Sequence, residues 1–317
     1  MRNYILRRIL WMVPTLLGMV TFVFILFQIV PGDVVSAMLA QPGVHFTPEW
    51  AAQARRDLGL DRPRHVQYLD WLSGFLRLDL GRSLWTGESV NKAIALRLPI
   101  TLQLVFMSVC ISVILGIPLG LIAALKQDRS ADYAARGFLI AGLCIPDFVC
   151  AILLVVFLIV TFRWFPPLDY ANIFSKPLVA TQQVIFPAII LGFRQTAVAA
   201  RMMRSSMLEV VGEDYIRTAR AKGVSNMGVI LGHALKNALL PVVTVFGVEM
   251  VLLFSGAVLV ERIFVVPGMG SLLVEAIGSR DYPVIQGCVA VIGLFVLAVN
   301  LLVDLVYAAL DPRIQYT

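Results

Sequence analysis

The sequence predicts an all-α polytopic membrane protein with six transmembrane helices, cytoplasmic N and C termini, and a helical external segment between the first two helices. Hydrophobic residues make up 59% of the 317 positions and charged residues only 15%, whereas soluble domains contain about 25% charged residues. Mean hydropathy is +0.85. Basic side chains lie at the ends of long apolar runs, so the net charge of +6 does not indicate nucleic-acid binding.

Six apolar spans are each long enough to cross about 30 Å of hydrocarbon. They are 9–30, 99–125, 137–162, 184–206, 237–260 and 284–310. Five of them contain or border a proline, and such kinks are tolerated where neighbouring helices satisfy the freed carbonyl groups. The prolines are Pro14, Pro118, Pro146, Pro187 and Pro241.

The first span could be mistaken for the apolar region of a signal peptide, because Arg2, Arg7 and Arg8 precede it. Signal peptides have shorter apolar regions than the run from Ile9 to Val30, and no A-x-A cleavage site follows this run. We therefore expect a retained first transmembrane helix.

The distribution of basic residues sets the orientation, because short cytoplasmic loops carry an excess of Lys and Arg while loops longer than about 60 residues count little. With the N-terminus inside, the inner side carries Arg2, Arg7, Arg8, Lys126, Arg129, Arg136, Arg201, Arg204, Arg217, Arg220, Lys222, Lys236 and Arg313. The short outer loops carry only Arg163, Lys176, Arg262 and Arg280. Both termini are therefore predicted to be cytoplasmic, and segment 31–98 is predicted to be external.

The external segment carries signals for two helices. Thr47, Pro48 and Glu49 are typical of an N-cap, a first-turn proline and an acidic first turn. The helix that they open is expected to run to about Leu58. A second helix after Pro63 places an apolar face against the outer membrane surface or the helix bundle. That face carries Tyr68, Trp71, Leu72 and Phe75.

A short charged segment between two apolar spans predicts a helix at 213–222. Acidic residues lie at its start and basic residues at its end, an order that suits the helix dipole. They are Glu213, Asp214, Arg220 and Lys222. Gly212 and Gly223 bracket the helix, and Gly223 tolerates the positive φ of a residue just past a helix end.

One face of this helix carries a narrow apolar stripe formed by Tyr215, Ile216 and Ala219. We expect that only the membrane or a partner could bury this stripe. The segment is therefore interpreted as a docking helix on the cytoplasmic side. The alternative is an ordinary solvated helix that lies on lipid headgroups.

Several classes of site are not indicated. Cys110, Cys144, Cys150 and Cys288 lie inside apolar segments and form no C-x-x-C pair, so neither a metal site nor a disulfide framework is predicted. The histidines are scattered in loops, at His45, His65 and His233. The segment 223–228 lacks the Lys of a phosphate-binding G-x-x-x-x-G-K-[ST] loop, so this chain is not expected to bind ATP itself.

The segment Ala200–Thr244 resembles the cytoplasmic loop of ABC-importer permeases, specifically those of the dipeptide/oligopeptide/nickel branch. The resemblance covers essentially the whole chain. Its other motifs are LRR at 6–8, PGD at 31–33, LGLD at 58–61, DLGxS at 79–83, LPxTL at 98–102, PGMG at 267–270, RDYPVIQ at 280–286, NLLVD at 300–304 and DPR at 311–313.

The loop departs from the general permease signature E-A-A-x-x-x-G followed by I-x-L-P. Arg217, Thr218 and Ala219 replace E-A-A ahead of Gly223, and the spacing to Leu240-Pro241 is longer. Both departures resemble the peptide branch.

The resemblance implies that the helix 213–222 sits in a groove of a separate ATPase subunit and passes the closure of the ATPase dimer to the membrane spans. Small residues at Ala219 and Ala221 would allow close approach, and basic residues on the rim would set the orientation. The residues implied in coupling are Glu213, Asp214, Tyr215, Arg217, Ala219, Arg220, Ala221, Lys222 and Gly223.

The resemblance also implies the partners and the division of the chain. The family usually pairs such a chain with a second, related permease, two ATP-binding subunits and an external solute-binding protein, in the bacterial inner membrane. Residues 1–95 would form the first helix and the external segment, and 96–310 a five-helix core with the coupling loop at about 207–236. No cofactor, metal or catalytic residue is expected. Dipeptides, longer peptides, glutathione, nickel chelates, opines and short saccharides all remain open as solutes.

Three ionisable residues lie near the middle of predicted spans. Counting residues from the span ends at 1.5 Å each places Asp147, Arg194 and Glu249 roughly 15–18 Å deep, where a charge usually faces a cavity or a partner. One interpretation is that they line the substrate path. A second is that Arg194 pairs with Asp147 or Glu249 inside the bundle, and a third is that Arg194 snorkels toward the cytoplasm.

The leading hypothesis is a permease subunit of an ATP-driven importer. An ion-coupled secondary transporter that uses Asp147, Arg194 and Glu249 is the alternative, although the cytoplasmic helix and the lack of an internal repeat argue against it. A membrane-embedded hydrolase is disfavoured, because no histidine lies inside a predicted span.

Overall fold

The computed structural model describes residues 2–29, 32–40, 47–167, 169–171 and 173–310. Within these ranges the chain is helical, apart from loops and one antiparallel bridge between Arg82 and Ser89. Some residues named above lie outside the described part of the chain. They are Val30, Pro31, His45, Asp311, Pro312 and Arg313.

The described residues form thirteen α-helices and one π-helical segment. The α-helices are α1 (Arg2–Ile29), α2 (Val34–Leu39), α3 (Pro48–Asp57), α4 (Arg64–Leu76), α5 (Val90–Leu125), α6 (Ser130–Cys144), α7 (Asp147–Phe162), α8 (Pro177–Val211), α9 (Asp214–Ala221), α10 (Asn226–Gly228), α11 (Leu235–Ile263), α12 (Met269–Ser279) and α13 (Tyr282–Leu310). The π-helical segment, Val229–Ala234, joins α10 to α11.

The two helices predicted within segment 31–98 are confirmed as α3 and α4. The Thr47 hydroxyl caps α3 by accepting a hydrogen bond from the Trp50 amide at 3.2 Å. The aromatic face of α4 packs on α1, where the ring of Phe24 lies 5.2 Å from that of Tyr68 and 6.2 Å from that of Trp71. The Tyr68 hydroxyl also forms a 2.8 Å hydrogen bond with that of Thr21. This apolar face is therefore covered by the first span.

The six predicted spans correspond to five continuous apolar helices and one bent pair. The continuous helices contain the candidate spans Leu6–Ile29, Val90–Leu125, Pro177–Val211, Asn226–Phe254 and Tyr282–Val306. The predicted span 137–162 corresponds to the bent pair, in which α6 and α7 meet at an angle of 100°.

The bend lies at Pro146 and has a local cause. Proline cannot donate the backbone hydrogen bond that would continue α6, and it pushes the preceding residue out of the helical region. Ile145 accordingly has extended angles, with φ −90° and ψ 121°. Asp147 is therefore the first residue of α7, and counting residues along a straight span does not give its depth.

The described residues form two compact units, one within 2–100 with 267–297, and the other within 101–266 with 298–310. In the first unit, Met269 of α12 belongs to a buried apolar cluster with Val90, Ile285 and Cys288. The sequence did not reveal α12, since its 11 residues are too short for a span. The predicted division into 1–95 and 96–310 stays a prediction.

Candidate functional site

The charged segment forms helix α9, bounded as its sequence suggests. Glu213 is the N-cap residue, although its side chain makes no capping hydrogen bond. At the other end Gly223 has φ +80°. Its amide donates to Arg220 O at 3.0 Å and the Val224 amide donates to Ala219 O at 3.3 Å. This pair of bonds is a Schellman motif, which needs a residue such as glycine with positive φ.

Ile216 fixes α9 to the rest of its unit. Its side chain is completely buried, in a cluster with residues of α8, the π-helical segment and α11. The members of that cluster include Met203, Met207, Val229, Ala234 and Ala238. The expectation that only membrane or a partner could bury the apolar stripe is therefore wrong for Ile216. The chain buries it because α8 and α11 end beside α9.

The rest of the predicted stripe is less covered. Tyr215 is 40% exposed, and its hydroxyl accepts a 2.7 Å hydrogen bond from the Asn237 amide group. Ala219 is half-buried at the edge of the Ile216 cluster, whereas Ala221 is exposed. Ala221, one of the two small residues implied in close approach to a partner, therefore lies on the outward face.

The outward face of α9 is small and basic. Its exposed residues are Asp214, Arg217, Thr218, Arg220, Ala221 and Lys222. Arg217 lies 3.4 Å from the carboxylate of Asp214, but both side chains are exposed and such a pair contributes little to stability. A helix held from behind by Ile216 thus presents a nearly flat surface with three basic side chains.

A buried carboxylate close to this end of the bundle was not singled out from the sequence. Asp132 is completely buried at the start of α6. Arg204 of α8 donates to its two oxygens at 2.8 and 2.9 Å, Arg136 donates at 3.2 and 2.6 Å, and the Asp128 amide donates at 3.0 Å. The i,i+4 spacing of Asp132 and Arg136 was a visible signal. Arg204 is 72 residues away, so only the fold could supply it.

The structure brings two of the three predicted membrane charges together. Arg194 Nη1 lies 3.7 Å from Asp147 Oδ2, which is an ion pair but is longer than a hydrogen bond. The Arg194 side chain is 41% exposed and that of Asp147 is 17% exposed. The pair joins the start of α7 to the middle of α8.

Glu249 contacts Gln195, the residue that follows Arg194 in the sequence. Its main-chain oxygen accepts a hydrogen bond from Gln195 Nε2 at 3.1 Å. Its carboxylate atom Oε2 is buried with no hydrogen-bond partner among the described residues, and the same is true of Gln195 Oε1. Gln195 is only 4% exposed and was missed by the sequence reasoning, because a glutamine next to an arginine gives no signal of its own.

Two further buried carboxylates were missed. Glu261 is completely buried and accepts a 2.7 Å hydrogen bond from the Thr101 hydroxyl. In the other compact unit, Asp281 is 3% exposed and accepts hydrogen bonds from the Ser83 hydroxyl and the Leu84 amide. These interactions tie helix ends to distant segments.

The external segment holds a more exposed carboxylate, Asp33, at the start of α2. It accepts a hydrogen bond from Arg55 Nε at 2.7 Å and one from the Ser36 amide at 2.7 Å. Burial would raise the pKa of Asp33, but these hydrogen bonds outweigh burial and lower the pKa from 3.8 to about 2. The ionised form is therefore stabilised in the folded protein.

Comparison with known proteins identifies the family. The model for the binding-protein-dependent transport system inner membrane component matches residues 116–316, and the model for its N-terminal part matches residues 1–105. This chain belongs to that family. Because inner membrane components of such systems are transport subunits, the chain is a multi-pass membrane permease.

Individual members of the family are similar along their entire length. A putative peptide transport system permease protein of Brucella abortus is 41% identical over 316 residues, which cover 100% of both chains. The dipeptide transport system permease protein DppB of Escherichia coli is 39% identical over 339 residues, covering 100% of this chain and 99% of DppB. A putative peptide permease protein of Brucella ovis is 40% identical over 321 residues and covers both chains fully.

One solved structure shares the fold. It is described as the crystal structure of an amino acid ABC transporter with histidines, and it has a TM-score of 0.51 with 15% sequence identity. The match covers 69% of this chain and 94% of that chain. At this identity the likeness shows a common fold and nothing finer.

Proposed function

We propose that this chain is a permease subunit of an ATP-driven importer for peptides in a bacterial inner membrane, with both termini and α9 in the cytoplasm. The relatives named as peptide and dipeptide permeases support the substrate class. The distribution of basic residues in the short loops supports the orientation. The ion-coupled alternative loses support, because the similar proteins are permeases of binding-protein-dependent systems.

The burial of Ile216 is the observation that carries the coupling role of α9. An effector can move the spans only if its docking element is rigidly attached to them. Ile216 is 0% exposed and packs among residues of α8 and α11, while the opposite face of α9 is open. A displacement of α9 would therefore be passed directly to two membrane helices.

The open face of α9 suits a groove on an ATPase subunit. Ala221 and Thr218 carry little side-chain volume, so the helix can approach its groove closely. Arg217, Arg220 and Lys222 on the rim would fix the orientation through charge complementarity. Closure of an ATPase dimer would then move α9 as a rigid body, and the permease would alternate between outward and inward access.

The proposed assembly contains this chain, a second related permease, two ATP-binding subunits and an external solute-binding protein. A single chain does not supply a complete path across the membrane, so a second permease is required. The named systems of the relatives depend on a binding protein, as the family description states. Peptide would pass from that protein into the path between the two permeases.

The test compares uptake with ATP hydrolysis in the reconstituted assembly. Ala221→Trp places a bulky side chain on the open face of α9 without disturbing the buried Ile216. We expect peptide uptake per ATP hydrolysed to fall at least about tenfold, the effect of losing about 1.4 kcal/mol of productive docking. Lys126→Trp, an exposed position on another cytoplasmic loop, is the matched control and should leave the ratio unchanged. Unaltered uptake in Ala221→Trp would contradict the coupling role.

A further inference from the structure

Two buried oxygen atoms that can accept hydrogen bonds receive none from the described residues. Glu249 Oε2 and Gln195 Oε1 have no partner among the described residues, and the two residues are in contact through the 3.1 Å hydrogen bond from Gln195 Nε2 to Glu249 O. Buried polar atoms are nearly always paired in folded proteins. Two unpaired acceptors on residues joined by a hydrogen bond from side chain to main chain therefore point to a ligand that brings donors.

The chemistry of these acceptors limits the ligand. One oxygen belongs to a carboxylate and the other to an amide, so a positively charged group with several N–H donors fits best. A primary ammonium group carries three donors and one charge. Calcium needs six to eight oxygen ligands and magnesium demands an octahedral set, and in the described part of the chain no cluster of three or more acidic, His or Cys side chains could hold such an ion.

A group of opposite charge lies close by. Arg194 precedes Gln195 on α8. Its ion-pair partner among the described residues, Asp147, is 3.7 Å away, which leaves its N–H groups able to bind a carboxylate. The neighbours of Arg194, which is on α8, show which part of α11 lies beside it. A side chain at Gly256 would lie 3.7 Å from Leu191 and 3.4 Å from Asp147 Oδ2, whereas Gln195 touches Glu249.

The spacing of these neighbours along α11 sets the scale of the separation between the two charges. Gly256 and Glu249 are seven residues apart on α11, which corresponds to about 10.5 Å along the helix axis. An extended dipeptide measures about 7 Å, and a charge-assisted hydrogen bond at each end adds about 2.8 Å. A zwitterionic dipeptide therefore has the length to reach from Glu249 to Arg194.

We propose that Glu249 and Gln195 receive the α-ammonium group of the transported peptide inside the membrane, and that Arg194 receives its α-carboxylate in competition with Asp147. This inference rests on the proposed function and adds a recognition site within the permease. It makes the path selective for peptides whose two termini are free.

Binding of matched probes to the membrane complex tests the proposal. The complex of permeases and ATPases is purified without the external binding protein, so that the selectivity of that protein does not enter. The affinities of alanyl-alanine, its N-acetyl derivative and its C-terminal amide are measured calorimetrically. We expect wild type to bind alanyl-alanine at least about tenfold more tightly than either derivative, the effect of about 1.4 kcal/mol per charged contact.

The variants assign each terminus to its residue. Glu249→Gln should bring the ratio of free to N-acetylated peptide to about one and leave the ratio for the amide unchanged, and Arg194→Gln should do the reverse. Glu249→Asp should retain part of the preference. Glu209→Gln removes a glutamate from an exposed position on α8, and both ratios should stay as in wild type. Basal ATP hydrolysis by each complex shows that it is folded.

Equal affinity of wild type for all three probes would overturn the proposal, even if no variant could be purified. A wild-type preference that survives in Glu249→Gln would overturn the assignment of the ammonium site. Peptide uptake by the wild-type assembly with its binding protein is a separate measurement. If uptake occurs but the probes are not distinguished, the permease function stands and the recognition site is rejected.

Discussion

Two groups of charged side chains in the same compact unit differ in how completely they are paired. Asp132 is fully buried and receives hydrogen bonds from two arginines and a main-chain amide. Arg194 and Asp147 are 3.7 Å apart, and Glu249 keeps a buried oxygen without a partner. The first group joins α6 to α8 at the end of the bundle that carries α9, and the second lies where α7, α8 and α11 pack together.

The difference separates a group that holds helices together from a group that could bind a solute. A fully satisfied polar network fixes a single arrangement of the helices that it joins. An incompletely satisfied group costs stability, and such groups persist in proteins at functional sites. The Asp132 network would therefore make α6 and α8 move together when α9 is displaced, and the Glu249 group would be completed by the solute.

The largest effect should follow from breaking the satisfied network. Arg204→Gln removes both hydrogen bonds that α8 donates to Asp132 and leaves a buried carboxylate with fewer partners. We expect the midpoint of thermal unfolding in detergent to fall by roughly 10 °C. Arg201→Gln, on the same helix but exposed, should change the midpoint little. Equal midpoints for the two variants would remove the distinction between the groups.

A smaller loss of stability is expected where α9 packs against the rest of its compact unit. Ile216→Ala should destabilise the packing of α9 by about 3 kcal/mol, because it removes buried methyl groups and leaves a cavity. The peptide bonds of α9 should then become accessible to protease, and uptake should uncouple from ATP hydrolysis. Arg217→Ala on the exposed face should leave protease resistance within the range of wild type. Full protection of α9 in Ile216→Ala would show that other contacts hold it.

At the incompletely paired group around Glu249, a substitution should change stability with the opposite sign. Glu249→Met removes a buried acceptor that has no donor and should stabilise the folded protein by about 1 kcal/mol. Thermal unfolding in the absence of peptide measures this gain. The same variant should lose the preference for peptides with a free amino terminus. A clear drop in stability would place Glu249 with the structural charges.

The smallest effect is expected at Asp33, a paired carboxylate that lies outside the predicted membrane spans. Its pKa of about 2 in the folded state lies below the ordinary 3.8. Its pairing therefore contributes stability above pH 3.8, and this contribution is lost as the pH falls toward 2. Proteolysis of the external segment should increase over that range, and Arg55→Gln should weaken the pH dependence. A wild-type segment equally resistant at both pH values would contradict the pairing.

Local signals in the sequence were enough for much of the fold. The charge order and Gly223 gave the position of α9, Thr47 and Pro48 gave the start of α3, and apolar length gave the spans. The bend at Pro146 could not be predicted, because a proline in a span is compatible with a slight kink as well as a break. Which outcome occurs depends on the helices packed against it.

The pairing of the charges also could not be predicted from the sequence. Asp132 and Arg204 lie 72 residues apart, and the burial of Ile216 depends on residues of helices on both sides of it in the chain. The three membrane charges were found by their depth in apolar spans. Gln195 was not found, because an uncharged side chain at that depth does not stand out, and its unpaired oxygen is visible only in the folded structure.

The central claim is that α9 lies between the spans and an ATPase. A photoactivatable amino acid at position 221, on the exposed face, would test this in membranes that contain the whole assembly, with the same label at Lys126 as a control. We expect the label at 221 to attach to the ATPase subunit with a yield that changes when ATP is added, and the label at 126 to give much less of this product. Attachment at 221 only to lipid would show that α9 does not contact the ATPase.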